Sequence, residues 1–202
     1  MTSVRPASCL EFTLFAAVLL LSLVSAVLGQ PAVDAGSLRG KTLCGYQGWF
    51  RCQGDAAGAG WGHWSRDSKQ LTPGTLTFEM WPDMTEFPPR ECYEVPGFTH
   101  ADGKQASLFS SDNPGTARRH FEWMRHYGID GVWLQHFLVD LPGGPFGNRY
   151  ASRCRVLDHV HRSAEESGRI WAVSFDLAGM PDGQIFEVLT TEWKKLVAQG
   201  IT

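Results

Sequence analysis

The stretch GVWLQHF at residues 131–137 decides the fold of this chain, since it is a short apolar run that ends in a polar and aromatic cluster. Two similar runs flank it, KTLCGYQGWF at 41–50 and RIWAVSFD at 169–176. Short apolar runs of this kind are typical of buried parallel strands. Side chains at the carboxyl ends of parallel strands meet at one edge, where open sheets and (β/α)8 barrels bind ligands. We therefore expect the functional site at that edge.

Helical patterns alternate with these strands. The first helix is predicted to begin after a cap at Asp112 or Asn113 and to stop at Gly128. The second is predicted at 150–167 and the third at 184–199. The residues expected on the buried faces are Ala117, Phe121 and Met124 in the first helix and Val188, Trp193, Leu196 and Val197, mostly on one side, in the third.

Alternating strands and helices predict βα units with a parallel sheet. The chain has 202 residues, whereas a closed barrel typically needs about 250. We predict an α/β fold of the (β/α)8 TIM-barrel type, with only the first three or so βα units present in residues 41–202; a smaller open sheet is the alternative. The long segment 51–113 is either a functional loop or contains an element that the pattern misses.

The N-terminus has the layout of a secretory signal peptide at residues 1–29: Arg5, an apolar run at 12–28, and small residues at Ala26 and Gly29 where cleavage is plausible. An uncleaved membrane anchor is the alternative, although this apolar run is at the short end of what spans a bilayer. Residues 30–40 are predicted to be a linker. We expect the domain to be exported, to the periplasm or outside the cell.

Export changes the interpretation of the cysteines, because disulfides persist in oxidising compartments. Cys44, Cys52, Cys92 and Cys154 remain after the signal peptide and allow three pairings. We favour a Cys52–Cys92 bridge because both residues lie in the irregular region; buried free thiols are the alternative for the other two. Their spacing is not that of a zinc site. No cofactor is expected, with a calcium ion held by loop carboxylates left open.

Composition and charge narrow the class of protein. The chain is 43% hydrophobic and 19% charged, as expected for a globular protein with a sizeable core. Its formal net charge of −3 gives no basic surplus to hold a phosphate backbone, so we expect no nucleic-acid partner. The sequence contains no GxGxxG fingerprint, P-loop, HExxH or GxSxG motif.

Residues 46–83 contain four of the eight tryptophans together with polar side chains. Pyranose rings have apolar faces and hydroxylated edges, so sugar sites combine flat aromatic platforms with amide, imidazole and carboxylate groups. The alternative is that the tryptophans only pack a long loop. The candidate substrate-binding residues of this segment are Tyr46, Gln47, Trp49, His63, Trp64, Trp81 and Asp83.

The ends of the other two strands add three candidates, Gln135, His136 and Asp176. Strand alternation places Gln135 on the same face as Trp133 or Phe137. Asp176 directly follows an apolar run, where a carboxylate is unfavourable unless it is paired or solvated. A lone histidine is more often structural than catalytic, which is the alternative for His136.

Six ordered blocks carry a resemblance to a known family: GYQGWF at 45–50, GHW at 62–64, MWPDM at 80–84, HFEWM at 120–124, YGIDGV at 127–132 and SFDLAG at 174–179. Together they resemble the glycoside hydrolase family 71 and 99-like proteins, a secreted group sometimes labelled xylosidase/arabinosidase. The resemblance runs from about residue 41 to the C-terminus. It implies a (β/α)8 barrel that acts on polysaccharide, with relatives that cleave α-mannosidic or α-1,3-glucosidic bonds.

The resemblance also implies that the catalytic carboxylate pair lies on a later strand that this sequence does not contain. The catalytic residues are therefore unknown, and Asp83 and Asp176 are expected to bind substrate hydroxyls. Phe175 and Ala178 stand where relatives often have Tyr and Ser, and His136 stands where they commonly have Arg. We expect a secreted glycoside hydrolase-like protein with an oligo- or polysaccharide as its partner; a non-catalytic carbohydrate-binding protein or an inactive fragment is the alternative.

Overall fold

The computed structural model describes residues 31–201. The predicted signal peptide, residues 1–29, lies outside the described residues. Residues 31–40, the described part of the predicted linker, contain turns but neither strand nor helix. The backbone N–H of Val33 donates to the carbonyl of Gly168 at 2.8 Å, so this segment is attached to the rest of the fold.

Three parallel strands form the central sheet: β1 (Leu43–Tyr46), β4 (Gly131–Phe137) and β5 (Ile170–Asp176), in the order β1-β4-β5. These are the three strands expected from the sequence, and all their pairings are parallel. Strand β1 is shorter than the predicted 41–50, because the chain leaves the sheet after Tyr46 and turns at Gly48, whose φ is +57°. A side chain there would also collide with α-helical Val156.

Three helices follow the pattern of the sequence: α1 (Pro114–His126), α2 (Tyr150–Ser167) and α3 (Asp182–Ala198). All three contribute to one core against the same face of the sheet. Its buried residues are Phe121, Met124, Val132, Leu134, Val156, Leu157, Val160, Ala164 and Leu196.

The other face of the sheet is not covered by these helices. Val132 and Leu134 of β4 point into the helical core, so Trp133, Gln135 and Phe137 point the opposite way. Trp133 is 39% exposed, and its register neighbour Gly45 is exposed as well. We call this surface the open face of the sheet.

The predicted helix faces are correct in α1 and only partly correct in α3. Ala117, Phe121 and Met124 are all buried, as expected. In α3, Val188 and Leu196 are buried, but Trp193 is 45% and Val197 50% exposed. Glu192 is buried between Val188 and Leu196 instead, because the buried stripe follows i, i+4 spacing and is only one residue wide.

The long segment 51–113 contains a β-hairpin that the sequence pattern missed. Strands β2 (Tyr93–Thr99) and β3 (Gln105–Leu108) pair in an antiparallel arrangement with an irregular register between Glu94 and Thr99. Pro96 and Gly97 lie within β2 and interrupt the apolar pattern by which the other strands were predicted. The hairpin and the preceding loop share a second core, which we call the loop core. Its buried residues are Cys52, Trp61, Trp64, Leu71, Val95 and Leu108.

The predicted Cys52–Cys92 disulfide is wrong in this structure, since all four cysteines within residues 31–201 are free thiols. The Cys52 thiol lies in the loop core and donates to the carbonyl of Phe109 at 3.2 Å. The Cys92 thiol points instead to the carbonyl of Pro88 at 3.5 Å. Each thiol therefore has its own backbone acceptor.

The described chain is thus a mixed α/β fold with a three-stranded parallel sheet, and no closed barrel is present in residues 31–201. Within the same residues, no helix is both long enough and apolar enough to cross a membrane.

We predict that Gly131→Ala destabilises the fold whereas Gly45→Ala does not. A Cβ on Gly131 would lie against the backbone carbonyl of Ile170, while a Cβ on Gly45 would meet nothing within 4 Å on the open face. Overpacking typically costs about 1–3 kcal/mol. Urea denaturation of both variants measures the difference, and equal stabilities would contradict the close contact of Gly131 with Ile170 or the free space at Gly45.

We also predict that the peptides carrying Cys52 and Cys92 are recovered alkylated when the denatured protein is treated with iodoacetamide without prior reduction. Their free thiols give this result because neither sulfur is used in a bridge. Mass spectrometry of the digest makes the measurement. Recovery of a disulfide-linked Cys52–Cys92 peptide would contradict this prediction and support the disulfide expected from the sequence.

Candidate functional site

The candidate site lies at the carboxyl edge of the parallel sheet, on the open face. The Gln135 amide of β4 donates to Asp176 Oδ2 of β5 at 2.6 Å, and the backbone N–H of Ala178 donates to Asp176 Oδ1 at 2.8 Å. Both side chains are partly exposed. The amide and the carboxylate are therefore fixed in orientation and still reachable from solvent.

An aromatic stack adjoins this pair. The Trp49 ring lies between His63, with ring centroids 4.1 Å apart and 6° between planes, and Phe137, at 5.2 Å and 24°. Phe137 follows Gln135 by two residues on the same face and is the register partner of Asp176. The stack and the amide–carboxylate pair are thus continuous through Phe137.

His63 reaches Trp49 from a loop through a backbone conformation that is unusual for a residue with a side chain. Its φ is +61°, in the left-handed region, where histidine is found more often than most other residues. The following residue, Trp64, is buried in the loop core and anchors the turn. The loop thereby holds the imidazole over the indole.

A cavity of about 700 Å³ opens beside Trp49 and His63, between the loop and the start of α2. Its lining is rich in arginine: Arg51 and Arg66 from the loop, and Arg149, Arg153 and Arg155 from the start of α2. The Arg153 guanidinium also lies 5.1 Å from the centre of the Phe137 ring. Phe137 therefore links the cavity to the sheet edge.

The structure places His136 on the opposite face from Gln135. It is 2% exposed, and its Nε2 lies 3.1 Å from Glu192 Oε1 of α3. The Tyr150 hydroxyl donates to Glu192 Oε2 at 2.8 Å. Burial opposes the charged carboxylate, but hydrogen bonds from His136 and Tyr150 outweigh it and lower the pKa of Glu192. This network joins α2 and α3 to β4 and does not reach the open face.

Tyr46 likewise points to the helices. Its hydroxyl lies 3.0 Å from His120 Nδ1 of α1, and burial raises the pKa of the phenol. Gln47, the next residue, is exposed, and its backbone carbonyl accepts a hydrogen bond from Arg153 at 3.5 Å. Of these two candidates, only Gln47 lies beside the cavity-lining arginines.

Three further candidates are placed in the loop region, away from the amide–carboxylate pair. The indole N–H of Trp64 donates to the Phe109 carbonyl at 3.0 Å, and that of Trp81 donates to the Ser107 carbonyl at 2.7 Å. Both rings pack in the loop core. Asp83 is exposed and accepts hydrogen bonds from the backbone and hydroxyl of Thr85, which lower its pKa.

The structure thus brings together four of the predicted residues, Trp49, His63, Gln135 and Asp176. Phe137 and the cavity arginines were missed. A signal for the arginines does exist in the sequence: RYASRCR at 149–155 puts three positive charges in the first turns of a helix, where the helix dipole disfavours them. An anionic group nearby stabilises such a helix start, because it offsets the positive charges.

Within residues 31–201, no group of three or more His, Cys, Asp or Glu side chains is placed to hold a metal ion. Comparisons of the chain with protein-family models, with curated proteins and with solved structures find no match.

Two histidines make stability depend on pH. Burial lowers the pKa of His120 to about 4. Desolvation of the stacked ring, together with the guanidinium groups of Arg153, Arg149 and Arg51, lowers the pKa of His63 to about 4. The folded protein thus binds fewer protons than the unfolded chain between about pH 6.5 and 4, so stability is lost as pH falls through this range.

We predict that His120→Gln reduces this acid loss of stability. The amide oxygen of Gln still accepts a hydrogen bond from the Tyr46 hydroxyl but cannot be protonated in this range. The loss of unfolding free energy between pH 7 and 5 should shrink by about 2 kcal/mol in urea denaturation. His126→Gln, at an exposed position near the end of the same helix, is the control. An unchanged pH dependence in His120→Gln would contradict the prediction.

Proposed function

We propose that the carboxyl edge of the sheet binds a saccharide, and that the chain is a secreted glycoside hydrolase-like protein that acts on polysaccharide of the α-mannoside or α-glucan class. One observation carries the proposal: the Trp49 stack is continuous, through Phe137, with the Gln135–Asp176 pair on an open surface. The resemblance of the six sequence blocks to glycoside hydrolases supports the same class.

The chemistry of a sugar matches this surface. A pyranose has C–H groups on its faces that pack on aromatic rings, and hydroxyls around its edge that need donors and acceptors. His63 and Phe137 cover the two faces of the Trp49 indole, so the exposed His63 ring at the end of the stack offers the flat surface. Gln135 offers its amide, and Asp176 offers carboxylate oxygens already oriented by Gln135 and by the Ala178 backbone. Because these groups are held before a ligand arrives, little ordering is required on binding.

We propose further that the sheet is part of a (β/α)8 barrel. Parallel sheets normally have both faces covered, either by helices on each side or by closure into a barrel. In residues 31–201 the three helices share one face, and the other face carries Trp133, Gln135 and Phe137. A face of this kind is expected to become the inside of a barrel, with polar groups at its carboxyl edge.

Hydrolysis of a glycosidic bond needs two carboxyl groups about 5 to 9.5 Å apart. At the described edge, Asp176 is positioned to contact a sugar, whereas Asp140 is 2% exposed and bound by Arg153. The contacts of Asp83 are local to Thr85. Of these three carboxyl groups, Asp176 alone is positioned to bind substrate. One carboxyl group accounts for binding but not for hydrolysis, which favours the second candidate function, a non-catalytic carbohydrate-binding protein.

We predict that Trp49→Ala weakens binding to α-mannan, α-1,3-glucan or xylan at least tenfold, equivalent to about 1.4 kcal/mol. The reason is that this substitution removes the indole that supports the exposed His63 ring and joins it to Phe137. Affinity electrophoresis followed by calorimetry on the polymer that binds makes the measurement. Trp193→Ala is the matched control, since Trp193 is 45% exposed on α3, at the helical side.

Equal losses in Trp49→Ala and Trp193→Ala, or no binding of any of the three polymers by the wild-type protein, would reject the saccharide site. Release of reducing sugar by the wild-type protein distinguishes the hydrolase from the binding protein. Asp176→Asn should weaken sugar binding in either case, because the carboxylate acceptor is lost.

A further inference from the structure

The arginine-lined cavity has an unusual charge arrangement. Five guanidinium groups line it, and no Asp or Glu is among the lining residues. Two carboxylates behind the lining form ion pairs with three of these arginines. Asp112 binds Arg155 at 2.6 Å, and Asp140 binds Arg153 at 2.6 Å and Arg149 at 3.6 Å. The ion pairs thus leave positive charge in excess.

Arg51 is the most informative member of the group. It is 6% exposed, yet its hydrogen bonds go only to neutral oxygens: Ser152 Oγ at 2.9 Å and the carbonyls of Gly48 and Phe50 at 3.1 and 2.9 Å. Burying a cation without a directly bound anion is unfavourable, and Asp112 and Asp55 attract Arg51 without forming an ion pair with it. Burial, followed by repulsion from Arg153, lowers the pKa of Arg51 to about 10.

Asp55 is the remaining carboxylate near Arg51, and its oxygens are already occupied. They accept hydrogen bonds from the Ser110 hydroxyl and from backbone N–H groups of residues 52, 57 and 58. Arg66, on the other side of the cavity, is exposed and forms no ion pair with any residue in 31–201. Three carboxylates therefore lie near the five guanidinium groups. Asp112 and Asp140 are used in ion pairs outside the cavity lining, and Asp55 is used in hydrogen bonds with its own turn and with Ser110.

A purely structural role explains Arg153 and Arg155, which tie the start of α2 to the neighbouring loops. It does not explain why Arg51 is buried against neutral groups or why Arg66 and Arg149 face the same cavity. A guanidinium group binds a carboxylate, sulfate or phosphate through two parallel N–H···O hydrogen bonds. These bonds are strongest where water is partly excluded. The cavity size suits a ligand of sugar dimensions.

We propose that this cavity is a subsite for an oxyanion substituent, a sulfate ester or a uronate carboxylate, on the saccharide bound at the sheet edge. The inference rests on the proposed function for the sugar itself, because Trp49 and His63 belong to both the stack and the cavity wall. A sugar ring on the stack would place a substituent toward the arginines. The preferred substrate is then an α-mannan or α-glucan that carries acidic substituents, bound more tightly than its neutral form.

The experiment compares one polymer in three forms: neutral α-mannan, the same mannan after chemical sulfation, and the same mannan oxidised at C6 to the uronic acid. The full chain is used at fixed ionic strength, and α-1,3-glucan forms a second series. The variants are the double substitution Arg66→Gln/Arg149→Gln, and Arg39→Gln with Arg90→Gln as the control, which removes two exposed positive charges elsewhere. Inorganic sulfate is tested separately, by its effect on the thermal midpoint relative to chloride.

We expect the wild-type protein to bind a charged form at least tenfold more tightly than the neutral form. That ratio should fall at least fivefold in Arg66→Gln/Arg149→Gln and persist in the control. Preference for the sulfated or the oxidised polymer identifies which oxyanion is bound. The stabilisation by inorganic sulfate should be lost in the same variant.

Equal affinity for neutral and charged polymers would overturn the inference while leaving the proposed function intact. A preference that both double variants retain would also overturn it, since general electrostatics would then explain the binding. Failure to bind any polymer, with sulfate stabilisation lost only in Arg66→Gln/Arg149→Gln, would reject the proposed sugar site and support the oxyanion subsite.

Discussion

The parallel pairing of β4 with strands on both sides is the constraint on which the rest of the structure depends. Because β4 is central, its alternating side chains have only two environments. Val132 and Leu134 enter the helical core, while Gln135 and Phe137 face the open side. The same alternation sends His136 to the helices, where Glu192 satisfies it. One strand therefore divides the molecule into a packed side and a side that is free for ligands.

The long segment between β1 and α1 is folded by its own aromatic core, and this decides which tryptophans are free for function. Trp61 and Trp64 are buried there, and Trp64 uses its indole N–H on a backbone carbonyl. Trp49 precedes this core and lies over the sheet edge instead. The packing interpretation of the tryptophan-rich sequence thus applies to Trp61 and Trp64, while Trp49 belongs to the proposed sugar site. The packing residues hold the loop in place, and the loop positions His63 over Trp49.

Electrostatics link the loop to the first turns of α2. Positive side chains at a helix N-terminus oppose the helix dipole, so Arg149 and Arg153 require compensation, which Asp140 provides from behind the cavity. Arg51 donates its hydrogen bonds only to neutral oxygens, and Asp112 and Asp55 attract it without a direct ion pair. The region therefore has an excess of positive charge at a surface next to the aromatic stack. Such an excess is expected of a site that binds an anion.

The sequence by itself determined the three parallel strands, the three helices and the buried face of α1, because these depend on local periodicity and on glycine and capping signals. It also predicted that Trp49, Gln135 and Asp176 lie at one edge of the sheet, since the carboxyl ends of parallel strands converge there. Only the tertiary structure decided that His136 and Tyr46 turn to the helices, that Cys52 and Cys92 stay apart, and that the arginines of α2 face Arg51. These outcomes depend on which distant segments share one surface, and side-chain contacts between segments leave no periodic trace in the sequence.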